Sequence, residues 1–480
     1  MQRRMPDNVK KQVETMFTSE SKPREIISAI RQISDHSVVS RDIYNVRGSL
    51  RLKNLAGKTP IEALIVTLKE GLFKFDYQTD TTGQVTHLFF AHPKIIELLA
   101  KYPEVLLLDC TYRTNKFKMP LLNIVGTTCL NKNYHVAFYF LAKEEEEDYV
   151  WALKQLRDLL ATNASIHVLV TDREIALINA CRQIFLEAAW LLCIWHIEKN
   201  ILTHAAEFFE KGIARDTFIK AWTKVVHSTS VQAYEDNWNE FQNEYSATAP
   251  GLVQYIKDTW IVLWKHSIIQ AYTNKFLHLG NRVTSRVEGA YNTIKSYLQC
   301  STGDLKAVYD SINLLLANQH ASYEAEIALN KSGSPHTALE PLFSQLLGRV
   351  SHYALGQIWL QKHRLTSPDA LPKCTGTFRT SMGLPCAHEI QVRLDNNSSL
   401  VLEDVHRHWH FLPCAVLRME PLVLDPAIAE TRGRPSETRK QPRRHLNRAT
   451  RARQLTSTLR DLSAFERIDR PNRARPWAQN

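Results

Sequence analysis

The segment that decides the fold begins with the apolar run VLLL at residues 105–108, which stops at Asp109. A second apolar run, IHVLVT at residues 166–171, stops at Asp172 in the same way. Short runs rich in Val, Leu and Ile are typical of strands that are buried on both faces. A carboxylate at the end of such a strand is positioned by the sheet and still reached by solvent. Two such residues can share one metal ion if their strands are neighbours.

The residues between the two aspartates predict how their strands are connected. Polar residues at 131–133 form a short connection between two strands, which favours an antiparallel pair. Acidic residues at 144–148 favour the start of a helix, and this helix returns the chain so that the Asp172 strand lies parallel in the same sheet. In chain order the predicted elements are strands at 105–108, 119–128 and 135–142, a helix, the Asp172 strand, a helix at 175–186, a strand at 190–195 and another helix. This is the order of the ribonuclease H-like α/β fold.

Composition sets the broad class of the protein. The 480 residues are 44% hydrophobic, enough for a large core and two or three domains. We find no run of 18 apolar residues, and the basic start MQRR has no apolar stretch behind it, so we expect neither a membrane span nor a signal peptide. Eight scattered cysteines favour a reducing compartment over a disulfide framework.

Positive charge is concentrated at the C-terminus. Thr431 to Asn480 carries 14 Arg and Lys against 4 Asp and Glu, a net charge of +10, and the whole chain has +11. The preceding residues are therefore nearly neutral. A basic tail of this composition is too poor in large apolar residues to fold alone, and it favours nucleic acid as a partner.

The regions on either side of the aspartate strands differ in pattern. Residues 1–57 predict helices over Asn8–Phe17, Arg24–Ile33 and near 42–46, the last with Ser40 as its cap. They could read DNA as a helix-turn-helix or form a packing collar, and both interpretations stay open. Alternation at 72–77 and 85–90 predicts a hairpin that packs beside the central sheet, followed by a helix at 94–102.

The long stretch 197–280 predicts helices only. Its aromatic residues recur at helical spacing, and an insertion of this length is expected to form its own subdomain with a packed aromatic core. It is followed by Ser285, a candidate N-cap, with Glu288 three residues later. Taken alone, Glu288 is interpreted as a carboxylate at a helix start.

Several motifs together resemble the Mutator-like (MULE) transposases of eukaryotic DNA transposons, most closely those of fungi, and the related far-red-impaired-response proteins. The resemblance covers roughly residues 60–400. The motifs, in the family's order, are LFFAHP (88–93), LLLDCTYRTNKF (106–117), EEEDYVWAL (145–153), VTDREIALINA (170–180), LLCIWHIEKN (191–200) and VTSRVEGAY (283–291).

The resemblance implies a DDE triad of Asp109, Asp172 and Glu288 that holds two Mg²⁺ or Mn²⁺ ions. Hard cations prefer carboxylate oxygens, and two such ions hold the attacking and leaving oxygens of a phosphodiester in line. The family's C-x-x-H pair matches Cys193 and His196. Two ligands do not make a zinc site, so a metal or DNA role for this pair and a plain packing role beside Trp195 both stay open.

Residues 374–388 resemble a SWIM zinc finger, whose pattern is C-x-C followed by C-x-H. Cys374, Cys386 and His388 match, but Gly376 replaces the second cysteine. Because a structural zinc site has four ligands, either a group such as Cys414 or His363 substitutes, or the zinc site has decayed.

The resemblance implies DNA as the partner, at transposon ends and target. The sequence Arg432-Gly433-Arg434-Pro435 resembles an AT-hook core that lies in an A·T minor groove. Basic pairs at 439–440 and 443–444 favour nuclear import, and a homodimer is compatible with this class. The expected function is DDE-type strand cleavage and transfer, with a domesticated, non-catalytic DNA-binding regulator as the alternative.

The predicted organisation follows. It comprises an N-terminal helical region (1–57), a hairpin and helix (58–103), a ribonuclease H-like transposase domain (104–325) with the helical insertion 197–280, helices with a degenerate SWIM-type finger (326–425), and a disordered basic tail (426–480).

Overall fold

The structure is a computed structural model of the chain. It describes residues 5–18, 21, 23–34, 38–161, 164–210, 212–282, 285–298, 303–366 and 373–411. In this part of the chain, no helix is both long and apolar enough to cross a membrane.

Four helices come first, strands and helices are interspersed up to residue 192, and the described residues after that are mainly helical. The strands are β1 Lys74–Thr79, β2 Val85–Ala91, β3 Val105–Thr111, β4 Leu121–Thr127, β5 Asn133–Phe140, β6 Val168–Thr171 and β7 Ala189–Leu192. The helices before the insertion are α1 Asp7–Thr18, α2 Pro23–Ile33, α3 Ser40–Leu55, α4 Pro60–Glu70, α5 Pro93–Lys101, α6 Glu146–Leu159 and α7 Ile175–Ile184. The insertion contains α8 Ile194–Ala205, α9 Ile213–Val226, α10 Val231–Tyr245, α11 Pro250–Ile256, α12 Val262–Ile268 and α13 Gln270–Thr273. The remaining helices are α14 Ser285–Tyr297, α15 Leu305–Ser332, α16 His352–His363, α17 Thr377–Met382 and α18 Ala387–Asp395.

The seven strands form one mixed sheet in the order β1-β2-β5-β4-β3-β6-β7. The pairs β3–β4 and β4–β5 are antiparallel, and β3–β6 and β6–β7 are parallel, which confirms the predicted arrangement around the aspartates. The hairpin lies beside the core strands, as predicted, and is also part of their sheet, because β2 pairs with β5 and extends it. Every residue of β4 and β6 is buried, as expected for strands covered on both faces.

Three element ends differ from the sequence predictions. Strand β7 stops at Leu192, so Trp195 lies in α8 and not in the strand. The third N-terminal helix is much longer than predicted, and Ser40 is its first residue, with Val39 at the N-cap. Helix α14 likewise already includes Ser285.

The insertion forms one lobe with its own core, as predicted. Its fully buried side chains include Phe218, Trp222 and Phe241. The lobe contacts the sheet at β7, where the rings of Trp190 and Trp264 meet edge to face with centroids 5.3 Å apart. Within the lobe, Lys257–Ile261 forms a π-helical turn, and the guanidinium of Arg173, the residue after Asp172, lies 4.6 Å from the centre of the Trp260 ring.

Ion pairs connect the N-terminal helices to α15 and connect the residues after α15 to the start of β3. Helices α1–α3 share a small core, and Arg51 pairs with Asp304 at the start of α15. The boundary predicted between residues 325 and 326 falls inside α15. Glu104, buried just before β3, bonds His408 Nδ1 at 2.9 Å and pairs with Arg407 at 3.3 Å. The residues that follow α15 are thereby held against the base of the Asp109 strand.

Candidate metal and nucleic-acid site

Asp109 lies in β3, and Asp172 directly follows the neighbouring parallel strand β6. In the parallel pair β3–β6, Val105 is opposite Val168 and Leu107 is opposite Val170, an offset of 63 residues. Asp109 and Asp172 are separated by the same 63 residues. Adjacent strands are about 4.8 Å apart, and residues in register on parallel strands share a face of the sheet. Continuing this register by two residues would bring Asp109 beside Asp172, and the charges of both act on Tyr291, so both lie near the carboxyl end of β3 and β6.

Helix α14, which contains residue 288, is fixed to the same strand. The Tyr291 hydroxyl donates a hydrogen bond to the backbone carbonyl of Asp109. Burial first, and then the charges of Asp109 and Asp172 among its neighbours, raise the pKa of Tyr291, so its hydroxyl remains a donor. Residue 288 precedes Tyr291 by three positions, and positions three apart lie on one helix face. The side chain of Glu288 itself lies outside the described part of the structure.

A second anchor holds the start of α14 on the β4–β5 turn. The Arg286 guanidinium donates to the backbone oxygen of Asn131 at 3.0 Å, and to the side-chain oxygens of Asn131 at 2.7 Å and Asn133 at 3.1 Å. The side-chain amide of Asn133 donates back to the Arg286 carbonyl at 3.0 Å. Residue 288 thus lies between two points, Arg286 and Tyr291, that are tied to the sheet.

The electrostatic environment of Asp172 favours a cation. Burial, together with the charges of Glu174 and Glu144, raises the pKa of Asp172 to about 6, although the Glu174 backbone N–H opposes this rise. Sequence reasoning assigned Glu144 only to a helix start and did not consider Glu174. Neighbouring carboxylates without a cation repel one another, and oxygen ligands suit Mg²⁺ and Mn²⁺. The donor set therefore fits a divalent metal.

Asn123 lies directly opposite Asp109 in the antiparallel pair β3–β4, and the sequence did not single it out. It is fully buried, and its Oδ1 lies 3.0 Å from His135 Nδ1. Burial lowers the pKa of His135 to about 4, so this imidazole is neutral near pH 7 and its Nδ1 donates. Among the described atoms the amide nitrogen of Asn123 has no hydrogen-bond partner.

Cys193 and His196 lie at the junction of β7 and α8. Cys193 is buried at the N-cap of α8, and His196 packs against the Trp195 ring with centroids 4.8 Å apart. Burial, then Lys199, lowers the pKa of His196 to about 4. These two residues do not belong to any cluster of three or more ligating side chains among the described residues, and this environment agrees with the packing interpretation.

Cys374, Cys386 and His388 do come together, with their ligand atoms within 4.8 Å of one another. The Cys374 and Cys386 sulfurs are 3.8 Å apart. A tetrahedron with Zn–S bonds of about 2.3 Å has a sulfur–sulfur edge of about 3.8 Å, so the three side chains fit zinc. Gly376 has a left-handed backbone (φ 67°) and is the N-cap residue of α17.

A fourth zinc ligand is not identified. His363, one sequence candidate, stacks on Trp359 and is not in the cluster found among the described residues. Cys414, the other candidate, lies outside the described residues, as do Arg432, Arg434 and the whole basic tail.

Comparisons with known proteins agree with this architecture. A family model for the MULE transposase domain matches residues 105–200, which include Asp109, Asp172, Cys193 and His196. FAR1-RELATED SEQUENCE 5 of Arabidopsis thaliana is 21% identical over 329 residues, covering 63% of this chain and 40% of that protein. FAR1-RELATED SEQUENCE 6 of the same plant is 25% identical over 247 residues, covering 48% of this chain and 34% of that protein.

A fungal relative matches more of the chain. The protein named PKS-NRPS hybrid synthetase cheA of Chaetomium globosum is 26% identical over 467 residues, covering 86% of this chain and 10% of that protein. The chain thus spans between a tenth and two fifths of the length of these relatives.

The match of residues 105–200 to the MULE transposase domain, together with the FAR1-related relatives, supports a transposase-derived protein. The family model and the FAR1-related relatives support a MULE/FAR1-like family for this chain.

Proposed function

We propose that this chain is a DDE-type transposase of a Mutator-like DNA transposon. It cleaves DNA strands at the transposon ends and joins the freed 3′ ends to a target. The observation that supports this most strongly is the equal offset of 63 residues for the strand register and for Asp109 and Asp172. The strand order β5-β4-β3-β6-β7, with β4 antiparallel to its neighbours, supports a ribonuclease H-like core.

Asp109, Asp172 and Glu288 are the residues that would hold the catalytic Mg²⁺ or Mn²⁺. Bound ions of this kind activate the attacking oxygen and neutralise charge on the phosphate. The protein's own contribution would be placement: the register of β3 and β6 would hold the two aspartates near each other, and Arg286 and Tyr291 fix α14. Preorganised groups of this kind lower the barrier because they need no rearrangement during reaction.

We propose that Cys374, Cys386 and His388 bind zinc and stabilise the residues after α15, which contact Glu104 at the start of β3. The +10 tail, with Arg432 and Arg434, would hold DNA through phosphate contacts, and the protein would act in the nucleus, where a homodimer could bring two transposon ends together.

The second candidate is a domesticated DNA-binding regulator without catalysis. The matches to FAR1-related proteins of Arabidopsis favour it, because the resemblance to far-red-impaired-response proteins implies a role in transcription. Both candidates predict DNA binding, but only the transposase predicts metal-dependent strand cleavage.

Nicking of supercoiled plasmid in Mn²⁺ separates the two candidates. The wild type should nick the plasmid, and Asp109→Asn and Asp172→Asn should be at least about 100-fold slower, since each removes a metal ligand. Asp158→Asn, an exposed acid on α6, is the matched control and should keep full activity. Equal rates for wild type and Asp109→Asn would exclude catalysis at this site. DNA binding without nicking by any variant would favour the regulator.

A further inference from the structure

The loop that follows β3, residues 112–118, is held rigidly from within. Asn115 and Thr114 are almost fully buried. The Asn115 amide donates to the Met119 carbonyl at 2.9 Å, and its oxygen accepts from the backbone N–H groups of Phe117 and Met119 at 3.1 and 3.2 Å. The Lys116 N–H donates to the Gly303 carbonyl at 2.8 Å. This Tyr112–Lys118 loop is therefore a preorganised surface.

The loop presents aromatic rings and positive charge to solvent. Tyr112 is 54% exposed and Phe117 is 55% exposed. Arg113, Lys116 and Lys118 are exposed as well, and residues 110–120 contain no acid. The Lys116 ammonium lies 4.8 Å from the centre of the Phe117 ring. Exposed rings beside cations are the combination that binds an unpaired nucleic-acid strand, because bases stack on the rings and phosphates pair with the cations.

Two of the cations are held in a strained backbone conformation. Arg113 and Lys118 both have φ 61°, a left-handed value that costs a residue other than glycine about 1 kcal/mol or more. Backbone strain of this kind concentrates where a side chain must be aimed at a ligand. Both residues lie on either side of the buried Asn115, whose hydrogen bonds hold the loop in this conformation.

The loop also lies beside the paired aspartates. It begins three residues after Asp109, and the Tyr112 hydroxyl donates a hydrogen bond to the Glu144 carboxylate. Glu144 is one of the groups whose charge acts on Asp172. The loop is therefore linked through Glu144 to the surroundings of Asp172, and it adds positive charge to a neighbourhood of carboxylates.

We propose that the Tyr112–Lys118 loop grips the single DNA strand next to the scissile phosphate, with Phe117 and Tyr112 stacking on unpaired bases and Arg113, Lys116 and Lys118 contacting phosphates. This inference deepens the proposed function and rests on it. Because stacking accepts every base, the loop holds the strand end without selecting sequence.

A binding test without metal isolates the loop from catalysis. The probe is a single-stranded oligonucleotide of about 12 nucleotides that contains 2-aminopurine, whose fluorescence falls on stacking, titrated in EDTA. Wild type should quench the probe. Phe117→Ala should lose the quenching and bind roughly 5- to 150-fold more weakly, the range for one stacking ring, while Phe117→Trp should restore both. Tyr77→Ala, on exposed β1, is the control aromatic variant.

The charge contacts have their own readout. Lys116→Gln with Lys118→Gln should flatten the slope of log affinity against log salt by about 1.4, since each lost single-strand phosphate contact removes about 0.7. Lys154→Gln with Lys220→Gln, two exposed helix lysines, makes the same net-charge change and should leave the slope unchanged. Wild-type binding, quenching and slope in all loop variants would overturn the inference. If these variants bind the oligonucleotide more weakly but the wild type does not nick DNA in Mn²⁺, the loop binds single-stranded DNA and the proposed transposase activity is refuted.

Discussion

Replacing Asp172 by Asn should stabilise the folded protein when no divalent metal is present. Burial and the charges of Glu174 and Glu144 raise the pKa of Asp172 from 3.8 to about 6. One pKa unit corresponds to about 1.4 kcal/mol, so the ionised carboxylate costs the folded state about 3 kcal/mol. Asparagine removes the charge and keeps the oxygen that accepts the Glu174 N–H at 3.2 Å.

The sign of the pH dependence follows from the direction of the shift. A carboxyl whose pKa is higher in the folded state binds more protons there, so the wild type loses stability as the pH rises from about 4 through 6. The stability difference between Asp172→Asn and wild type should therefore be about 3 kcal/mol at pH 8 and less than about 1 kcal/mol at pH 4.

Urea denaturation in EDTA at several pH values measures this difference. Asp158→Asn, exposed on α6, controls for the loss of one charge. Adding Mg²⁺ should stabilise the wild type in proportion to metal binding and should stabilise Asp172→Asn much less. A variant less stable than the wild type at pH 8, or a difference that does not shrink toward pH 4, would refute the electrostatic account of this site.

Tyr291→Phe leaves the buried Asp109 carbonyl without its donor and should lower the free energy of unfolding by about 1–2 kcal/mol in denaturation experiments. Tyr297→Phe on the same helix removes a hydroxyl that accepts a hydrogen bond from Asn318 and should cost less. Equal losses for the two variants would contradict the role of Tyr291 as an anchor. The affinity for zinc should increase with pH, because burial raises the pKa of the Cys386 thiol and a thiol must lose its proton to bind the metal. Cys386→Ser should abolish zinc uptake measured by metal analysis. Zinc retained by this variant would place the ion elsewhere. Truncation after Pro426 removes the basic tail and should weaken duplex binding and flatten its salt dependence; an unchanged salt slope would assign DNA affinity to the nearly neutral remainder.

The sequence predicted the central sheet because its signals there are local. The apolar runs predicted the strands β3 to β6, and the polar turn and the acidic helix start between them predicted the strand directions. The hairpin's place in the sheet was missed because the pairing of β2 with β5 joins residues about 50 positions apart, which no local pattern records. The end of β7 was misjudged because an apolar run does not distinguish a buried strand from a buried helix start.

The site was predictable to a similar depth. Both aspartates stood out because each ends an apolar run. Glu144 did not, because it lies 28 positions before Asp172 and comes near it only in the folded chain. Glu174 is close to Asp172 in sequence, but it matched no pattern used for the prediction. Helix α4 was also missed, although Thr59 and Glu62 form a capping box whose spacing is visible in the sequence. The strand pattern at residues 72–77 dominated the interpretation of this region, so the helix start at Thr59 was not recognised.

Counting bound Mn²⁺ by the loss of the free-ion electron paramagnetic resonance signal tests the central claim most directly. Asp109, Asp172 and Glu288 are proposed to share one two-metal site, so the wild type should bind close to two ions. Asp109→Asn should bind almost none at the same concentration, and Asp172→Asn and Glu288→Gln should each bind fewer than the wild type. Asp158→Asn should match the wild type. Equal Mn²⁺ binding by the wild type and Asp109→Asn would contradict a shared metal site at the carboxyl end of β3 and β6.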